Sequence, residues 1–103
     1  MTPKKAKRRI SEQQHIKTQL ALKGFRLADV DRLAGVTPGA CRDALRRPHK
    51  AGEEAIAAAL DVEPHTLWTD RYDQTTGQRY DPQPSTNYDR TPTLREMQNV
   101  RAA

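Results

Sequence analysis

Apolar side chains recur at the spacing of an α-helix, not of a β-strand, along most of the chain. Ser11 and Gln14 form a capping-box pattern that predicts the start of a first helix. Ile16 and Leu20 continue that helix on one face, and Gly24 offers a residue at which it ends. Because no stretch alternates between apolar and polar residues, the chain is predicted to be all-α.

Helix-starting and helix-stopping residues divide the following stretch into four more short helices. Gly35 ends a second helix, and Thr37 followed by Pro38 opens a third, with a capping oxygen and then a residue that has no N–H to lose. Pro48 stops the third helix. The apolar positions of the second, fourth and fifth helices are Leu27, Val30 and Ala34, then Ile56, Ala59 and Leu60, then Leu67 and Trp68. We expect a compact bundle of about five short helices.

Composition divides the chain into three parts. Only 35% of the 103 residues are hydrophobic, which is few for a domain that uses its whole length. The pattern predicts a flexible basic arm over residues 1–10, a helical domain over 11–72 and a polar, largely irregular tail over 73–103. The tail is expected to be disordered or to wrap loosely on the domain. Thr93 and Glu96 form another capping-box pattern, which predicts a short terminal helix.

A weak repeat of tyrosines marks the start of the tail. Its three copies, spaced eight residues apart, are Arg71-Tyr72-Asp73, Arg79-Tyr80-Asp81 and Asn87-Tyr88-Asp89. Three explanations stay open for these tyrosines: contact with a partner, docking back onto the helical domain, and chance in a segment of low complexity.

The net charge of +5 is unevenly distributed along the chain. All of the excess lies in the first nine residues, which include no acidic residue. Residues 23–50 carry seven basic and three acidic side chains, whereas residues 51–72 carry one basic and five acidic side chains. A domain with one positive end, one negative end and a cationic arm suits a polyanion that approaches from one side. A charge pattern that serves only solubility is the alternative.

Several classes of function find no support in the sequence. No apolar run approaches membrane-spanning length, and the basic N-terminus lacks the apolar stretch of a secretion signal. There is one cysteine, Cys41, and the three histidines lack the spacing of metal ligands. No glycine-rich phosphate loop and no nucleophile paired with a base is present. We expect a cytoplasmic protein that is not an enzyme and has no cofactor, metal, membrane contact or small-molecule substrate.

The block of residues 27–45 carries the pattern of a helix-turn-helix. Its apolar and small side chains fall where two helices that cross at a sharp angle need them, and Gly35 provides the turn, where a positive φ is cheap for glycine. The inward side chains are Val30, Ala34, Val36, Cys41, Ala44 and Leu45. In this motif the second helix reaches base edges in the major groove, which predicts double-stranded DNA as the partner and residues 38–46 as the reading helix.

Five residues of this block are predicted to face the groove. Arg42 is the candidate for guanine, through two hydrogen bonds to O6 and N7. Asp43 has two open roles, as an acceptor for a cytosine amino group or as a support for Arg42. Pro38 and Gly39 have little to donate, so close approach and apolar contact with a thymine methyl group are expected. Thr37 is expected to cap the helix and to touch a phosphate.

Basic side chains around the reading helix are predicted to contact phosphates. Arg46, Arg47 and Lys50 lie just past that helix, where phosphate anchoring is favoured over an ordinary solvated surface. The arm is expected to make sequence-independent phosphate contacts, with the minor groove as the alternative. The predicted phosphate ligands are Arg26, Arg46, Arg47, His49 and Lys50 in the domain, and Lys4, Lys5, Lys7, Arg8 and Arg9 in the arm.

Residues 15–72 also carry the spacing of a known family. The matching residues are Lys23-Gly24, Leu27-Ala28, Arg32, Gly35, Ala44-Leu45-Arg46-Arg47-Pro48, Gly52-Glu53, Ile56-Ala57, Ala59-Leu60, Pro64, Trp68 and Arg71-Tyr72. In these positions the chain resembles the Ner-like regulators, typified by the phage Mu Ner protein, within the lambda-repressor-like fold. The resemblance implies operator binding and repression of transcription in a phage or bacterial setting. Members usually have a small residue where this chain has Asp31, whose carboxylate, if buried, would need a partner such as Arg32 or Arg42.

These patterns together predict a sequence-specific DNA-binding transcription regulator, with a homodimer as the expected form on DNA. Two alternatives stay open. The first is a protein-interaction module in which the tail grips another protein from a helical scaffold. The second is an architectural protein that binds DNA through charge without reading bases.

Overall fold

The computed structural model of the protein describes residues 4–88, with side chains from residue 7 onward. Four α-helices form the fold, followed by two 3-10 turns: α1 (Lys4–Leu22), α2 (Leu27–Ala34), α3 (Ala40–Arg46), α4 (Lys50–Leu60), Pro64–Thr66 and Ser85–Tyr88. Over the described residues there is no β-strand, only an isolated antiparallel bridge between Tyr72 and Arg79. The predicted all-α architecture is confirmed, with the first 3-10 turn in place of the predicted fifth helix.

The first helix begins earlier than the sequence predicts. The segment expected to be a flexible arm is helical from Lys4, and Ser11 lies inside the helix instead of at its start. Ile10 is buried, so helix formation upstream of the capping-box pattern removes apolar surface from water. The end of α1 is as predicted, because Gly24 follows it with a φ of 84°, in the left-handed region.

A single apolar core lies between the four helices. Its buried residues are Ile16, Leu20, Val30, Cys41, Ala44, Leu45, Ala55, Ile56, Leu60, Trp68 and Tyr72. Trp68 is only 3% exposed and packs in this cluster from beyond the last helix. A large aromatic side chain in this position closes the end of the core.

The third and fourth helices approach each other closely at Gly52. A Cβ atom on Gly52 would lie 2.3 Å from the carbonyl oxygen of Ala40 and 2.8 Å from the Cβ of Ala44. Glycine is therefore the residue that lets the backbone of α4 pack directly against that of α3. This contact sets the separation between the helix-turn-helix and the rest of the domain.

The described part of the polar tail packs on the domain. The Asp73 N–H donates to the carbonyl of Gln78 at 2.8 Å. The Tyr80 N–H donates to the carbonyl of Arg71 at 3.1 Å, and these two bonds close a short hairpin over residues 71–80. The tail therefore wraps onto the helical domain, and we call its described residues, 73–88, the wrap. The hairpin is continuous with the helical domain.

Two buried side-chain amides hold the rest of the wrap. Gln83 donates to a hairpin carbonyl at 2.8 Å. Asn87 donates to the carbonyl of Asp70 at 2.9 Å and to the side-chain oxygen of Gln83 at 3.0 Å. Both amides are therefore satisfied inside the protein, as buried polar groups require. The terminal helix predicted to start at Thr93 lies outside the described residues.

Replacement of Gly52 by alanine should destabilise the protein by about 3 kcal/mol, because the added methyl group overlaps the backbone of α3. Urea unfolding followed by circular dichroism measures the loss. The exposed neighbour Ala51, changed to serine, is the control and should cost less than about 0.5 kcal/mol. An unchanged or raised unfolding midpoint for Gly52→Ala would contradict the close approach of the two helices.

Candidate nucleic-acid interface

The helix-turn-helix is formed by α2, the turn at Gly35 and α3. Gly35 has a φ of 70°, and its N–H donates to the carbonyl of Arg32 at 3.3 Å. The Val36 N–H donates to the carbonyl of Asp31 at 3.0 Å, which completes a Schellman-type end of α2. The predicted role of Gly35 as the turn residue is confirmed.

The start of the third helix differs from the prediction. The helix begins at Ala40, after a Gly39 N-cap with a φ of 91°, and no side-chain cap comes from Thr37. Thr37 instead accepts a hydrogen bond from the Ala40 N–H through its main-chain carbonyl, at 2.9 Å. Pro38 and Gly39 form the turn that leads into α3. The capping oxygen predicted at Thr37 is therefore wrong, because a turn intervenes before the helix.

The side chain of Asp31, in α2, caps the N-terminal end of α3. Its Oδ2 accepts from the Gly39 N–H at 2.8 Å, and its Oδ1 accepts from the Cys41 N–H at 2.9 Å. The partner expected for this carboxylate was an arginine, but Arg32 pairs with Asp29 at 3.0 Å. A buried carboxylate is thus satisfied by backbone amides at a helix start, where a negative charge is also favoured by the helix dipole.

Hydrogen bonding keeps the Asp31 carboxylate ionised. Burial raises the pKa of Asp31, but hydrogen bonds from Cys41 and from the Gly39 amide lower it by more than burial raises it. The pKa therefore lies below the ordinary value of 3.8. The same surroundings raise the pKa of the neighbouring Cys41 thiol. Burial, together with the Asp31 carboxylate, raises the pKa of Cys41 to about 12. Cys41 is therefore a small buried residue in its thiol form.

The fourth helix carries a second buried carboxylate, Glu53, which is 0% exposed. Its Oε1 accepts from the Tyr72 hydroxyl at 2.7 Å and from Arg79 Nε at 3.2 Å. Its Oε2 accepts from the His49 N–H at 2.6 Å and from Arg71 Nη1 at 3.3 Å. We call Glu53 and these four donors the Glu53 network. It joins the loop before α4 to both arms of the hairpin.

Burial raises the pKa of Glu53, but the hydrogen bonds from Arg79, Tyr72 and the His49 amide, with the charge of Arg71, lower it below its ordinary value of 4.5. Sequence reasoning missed this residue as a hub. The signal that could have found it is the spacing of eight between Arg71 and Arg79, since the first two copies of the tyrosine repeat supply three of the four donors.

The Glu53 network reaches the end of the third helix through Arg71. The Nη1 of Arg71 donates to the carbonyl oxygen of Ala44, inside α3. The residue four positions after Ala44 is Pro48, which has no N–H to offer this carbonyl. Arg71 also lies over the ring of Trp68, with its Cζ 5.3 Å from the ring centroid.

The residues predicted to read bases lie together at the start and on one side of α3. Thr37, Pro38 and Arg42 are exposed, and Gly39 and Asp43 are half-buried. A Cβ on Gly39 would lie 3.7 Å from Nη2 of Arg42, so the guanidinium extends back over the helix start. Asp43 faces Arg47, with 3.7 Å between its Oδ2 and Nη2 of that arginine. Asp43 therefore pairs with Arg47 and does not support Arg42, the second role that the sequence left open for it.

The predicted phosphate ligands of the domain border this face. Arg26, Arg46, Arg47 and Lys50 are exposed, and the side chain of Arg26 is 90% accessible. His49 is half-buried and caps α4, since its Nδ1 accepts from the Gly52 N–H at 3.1 Å. That bond leaves the Nε2–H of the neutral imidazole as its available donor.

The predicted ligands of the basic arm divide into two groups. Lys4, Lys5 and Lys7 lie in the first turns of α1, and Lys7 is exposed. Arg8 and Arg9 have partners in the fold. The guanidinium of Arg8 pairs with Asp70 of the domain, and Arg9 Nη2 donates to the carbonyl of Thr86 in the tail. The arm is therefore a helical extension that two of its own arginines join to the domain.

Residues 4–88 contain neither a cluster of metal-ligating side chains nor a membrane-spanning helix. No three His, Cys, Asp or Glu side chains of this range come together as metal ligands. None of the helices in it has the length and apolarity needed to cross a lipid bilayer.

Comparison with known proteins fits this geometry. Residues 11–84 match the family of winged helix-turn-helix DNA-binding domains. The chain belongs to this family. Sugar fermentation stimulation protein B of Escherichia coli K12 is 36% identical over 76 residues, which cover 74% of this chain and 75% of that protein. The protein of the same name from Shigella flexneri has the same identity and coverage. No solved structure matches the chain.

The winged helix-turn-helix match extends through the hairpin. The matched residues include the whole Glu53 network and end within the wrap, at residue 84. Over the described residues the hairpin, with its single Tyr72–Arg79 bridge, is the feature nearest to a β-wing. The family match therefore continues beyond residue 72, where the sequence analysis ended the helical domain.

The Glu53→Gln variant should be less stable than the wild type by roughly 3 kcal/mol at pH 7, because it leaves two buried or half-buried arginines without their carboxylate. The folded-state pKa of Glu53 is depressed, so its contribution is complete above the ordinary value of 4.5 and is lost as the pH falls through the lower folded-state pKa. The stability difference between the two proteins should therefore shrink on acidification.

Urea unfolding of both proteins at several pH values measures this difference. Glu12 has a pKa raised by burial and by Asp70, which gives a pH term of opposite sign, but that term is common to both proteins and cancels. The control is Glu54→Gln, a change at the exposed neighbouring carboxylate. A stability difference that stays constant from pH 7 to pH 3 would contradict an ionised Glu53 in the fold.

Proposed function

We propose that this protein is a sequence-specific transcription regulator that reads the major groove of DNA with α3 and the turn before it. The observation that carries the proposal is the two-sided character of α3. Cys41, Ala44 and Leu45 bury one side of the helix, while Arg42 projects from the other beside Thr37 and Pro38. An exposed reading face on a helix whose back is buried is what the helix-turn-helix presents to bases.

Arg42 is the residue that we propose to read a guanine through O6 and N7. Asp43, which already faces Arg47, is proposed to accept from a cytosine amino group when that arginine turns to a phosphate. Pro38 and Gly39 have no side-chain donor and allow the turn to approach a thymine methyl group. Thr37 is exposed at the edge of this face and is proposed to donate its hydroxyl to a phosphate.

Phosphate binding is proposed on both sides of this face. The exposed side chains of Arg26, Arg46, Arg47 and Lys50 would fix the register of the protein on the duplex, with His49 donating from Nε2. Lys4, Lys5 and Lys7 are proposed to add contacts without sequence preference. Arg8 and Arg9 are proposed to join them only when DNA draws them from Asp70 and from the wrap.

Two regulatory outcomes have support. The resemblance to Ner-like phage regulators supports repression by occupation of an operator, by a homodimer on two half-sites. The name of the Escherichia coli and Shigella relatives, sugar fermentation stimulation protein B, supports activation instead. Transcription from a promoter that contains the selected site, with and without the protein, distinguishes the two.

The Arg42→Ala variant tests the reading of bases. It should weaken binding to a site selected from random duplex DNA by about 1–3 kcal/mol and relax the preference at one base pair of each half-site. The control is Arg32→Ala, which removes an exposed arginine of α2 that pairs with Asp29. If wild-type protein selects no sequence, or if footprinting shows no protected site at moderate salt, the protein-interaction and architectural alternatives replace this proposal.

Substitution of Lys4, Lys5 and Lys7 by alanine tests the phosphate contacts of the basic segment. If each lysine neutralises one phosphate, the slope of log affinity against log salt should fall by about 2.7. The loss should be equal on specific and unrelated duplexes. A salt slope equal to that of the wild type would show that this part of α1 does not contact DNA.

A further inference from the structure

We infer that Asp31 and Arg71 are positioning residues that fix α3 from its two ends and so determine how Arg42 and Asp43 meet the bases. This inference rests on the proposed function of α3. It concerns two residues that face the inside of the protein, neither of which touches DNA in the proposed complex. Four observations carry it.

The first observation is that α3 has little of its own to hold its position. It has seven residues, which is too short for a helix to be stable alone. Three of its four buried side chains are small, namely Ala40, Cys41 and Ala44, and Leu45 is the one large apolar residue among them. Small side chains interlock weakly with neighbouring helices, so apolar packing alone leaves the rotation and the axial position of α3 poorly fixed.

The second observation is the attachment of the helix start. The Asp31 carboxylate accepts from the N–H groups of Gly39 and Cys41, one with each oxygen, at 2.8 and 2.9 Å. Asp31 is 6% exposed, so water cannot easily replace either bond. Two bonds from one rigid carboxylate fix the direction of the helix start as well as its distance from α2.

The third observation is the attachment of the other end. Arg71 donates to the carbonyl oxygen of Ala44, which Pro48 cannot serve. Its guanidinium is itself held by Glu53 at 3.3 Å and lies over the ring of Trp68. The two signs match the helix dipole, since the acid is at the positive N-terminal end and the base is toward the negative C-terminal end.

The fourth observation is where these attachments lie along the helix. The last amide that Asp31 binds belongs to Cys41, and the carbonyl that Arg71 binds belongs to Ala44. The two residues between them are Arg42 and Asp43, the proposed base readers. The turn of helix that presents them is thus attached on both sides, and base readout by paired hydrogen bonds depends on such fixed geometry.

The test separates sequence discrimination from overall affinity. Asp31→Asn can accept from only one of the two amides, because its NH₂ group faces the other, and Arg71→Lys keeps its charge but loses the planar fork. For each variant we would measure the affinity for the selected site, the affinity for an unrelated duplex of equal length, and the salt slope. Circular dichroism identifies a temperature at which the variant is folded.

We expect the ratio of specific to unrelated affinity to fall by about tenfold in each variant. The salt slope should stay at the wild-type value, because every proposed phosphate ligand is retained. A purely structural loss would instead lower the folded fraction and reduce both affinities together. The double variant Asp31→Asn/Arg71→Lys should lose less than the product of the two single effects, because both act on one helix.

Two controls match the variants in chemistry. Asp61→Asn makes the same change at an exposed acid that ends α4, and should leave the ratio unchanged. Arg79→Lys alters the other arginine that holds Glu53, through hydrogen bonds from Nε and Nη2 to the carboxylate, and should change stability more than the ratio. If Arg79→Lys lowers the ratio as much as Arg71→Lys does, the effect belongs to the Glu53 network and the inference is overturned.

The remaining outcomes are also decisive. Folded Asp31→Asn and Arg71→Lys proteins with the wild-type ratio would overturn the inference while leaving the proposed function intact. A wild-type ratio near one would reject the proposed function itself. If one of the two variants does not fold, the other is measured in its place, since each single variant is predicted to lower the ratio.

Discussion

The structure depends first on the burial of one ionised carboxylate. Glu53 is enclosed completely, and a carboxylate without partners in such a place would cost several kcal/mol. Four donors from three separate stretches of the chain surround it, so each of these stretches must be in place before the charge is satisfied. Because two of the donors come from the first arm of the hairpin and one from the second, detachment of the hairpin would leave Glu53 without three of its four donors.

This dependence explains how a chain with few apolar residues makes a specific fold. A hydrophobic content of 35% supports a small core, and much of the core around α3 consists of alanine and cysteine. Hydrogen bonds to buried carboxylates are directional, so they fix the relative orientation of helices that small apolar side chains leave less well defined. Asp31 joins α2 to the start of α3, and Glu53 joins α4 to the hairpin. Gly52 lets the backbone of α4 approach that of α3 closely.

The parts of the fold that could be predicted are those that local physics determines. Helical spacing, the positive φ of Gly35 and the burial of Trp68 all follow from residues close in sequence or from size and hydrophobicity. The start of α1 was not predictable in this way, because a capping pattern at Ser11 competes with a buried Ile10 whose contacts are tertiary. The residues proposed to meet DNA stay predictions.

The partners of the buried charges could not be predicted because they are distant in sequence. Arg71 lies 18 residues from Glu53 and 27 from Ala44, and Asp31 bonds amides eight and ten residues away. Nothing in a single sequence distinguishes these pairs from the many other acids and bases. The regular spacing of the tyrosines was visible, but chance explained it better than packing did from the sequence alone. Geometry was needed to give the repeat a physical meaning.

The network around Glu53 has a consequence for how such a domain changes over evolutionary time. A buried carboxylate with four donors from distant positions tolerates stepwise replacement poorly, since the loss of any one donor leaves a position on the enclosed carboxylate without its hydrogen bond. The position of Glu53 and those of Arg71, Tyr72 and Arg79 should therefore be inherited as a block, while the outward face of α3 is left to vary. Such a division would let related proteins acquire new target sequences on an unaltered frame.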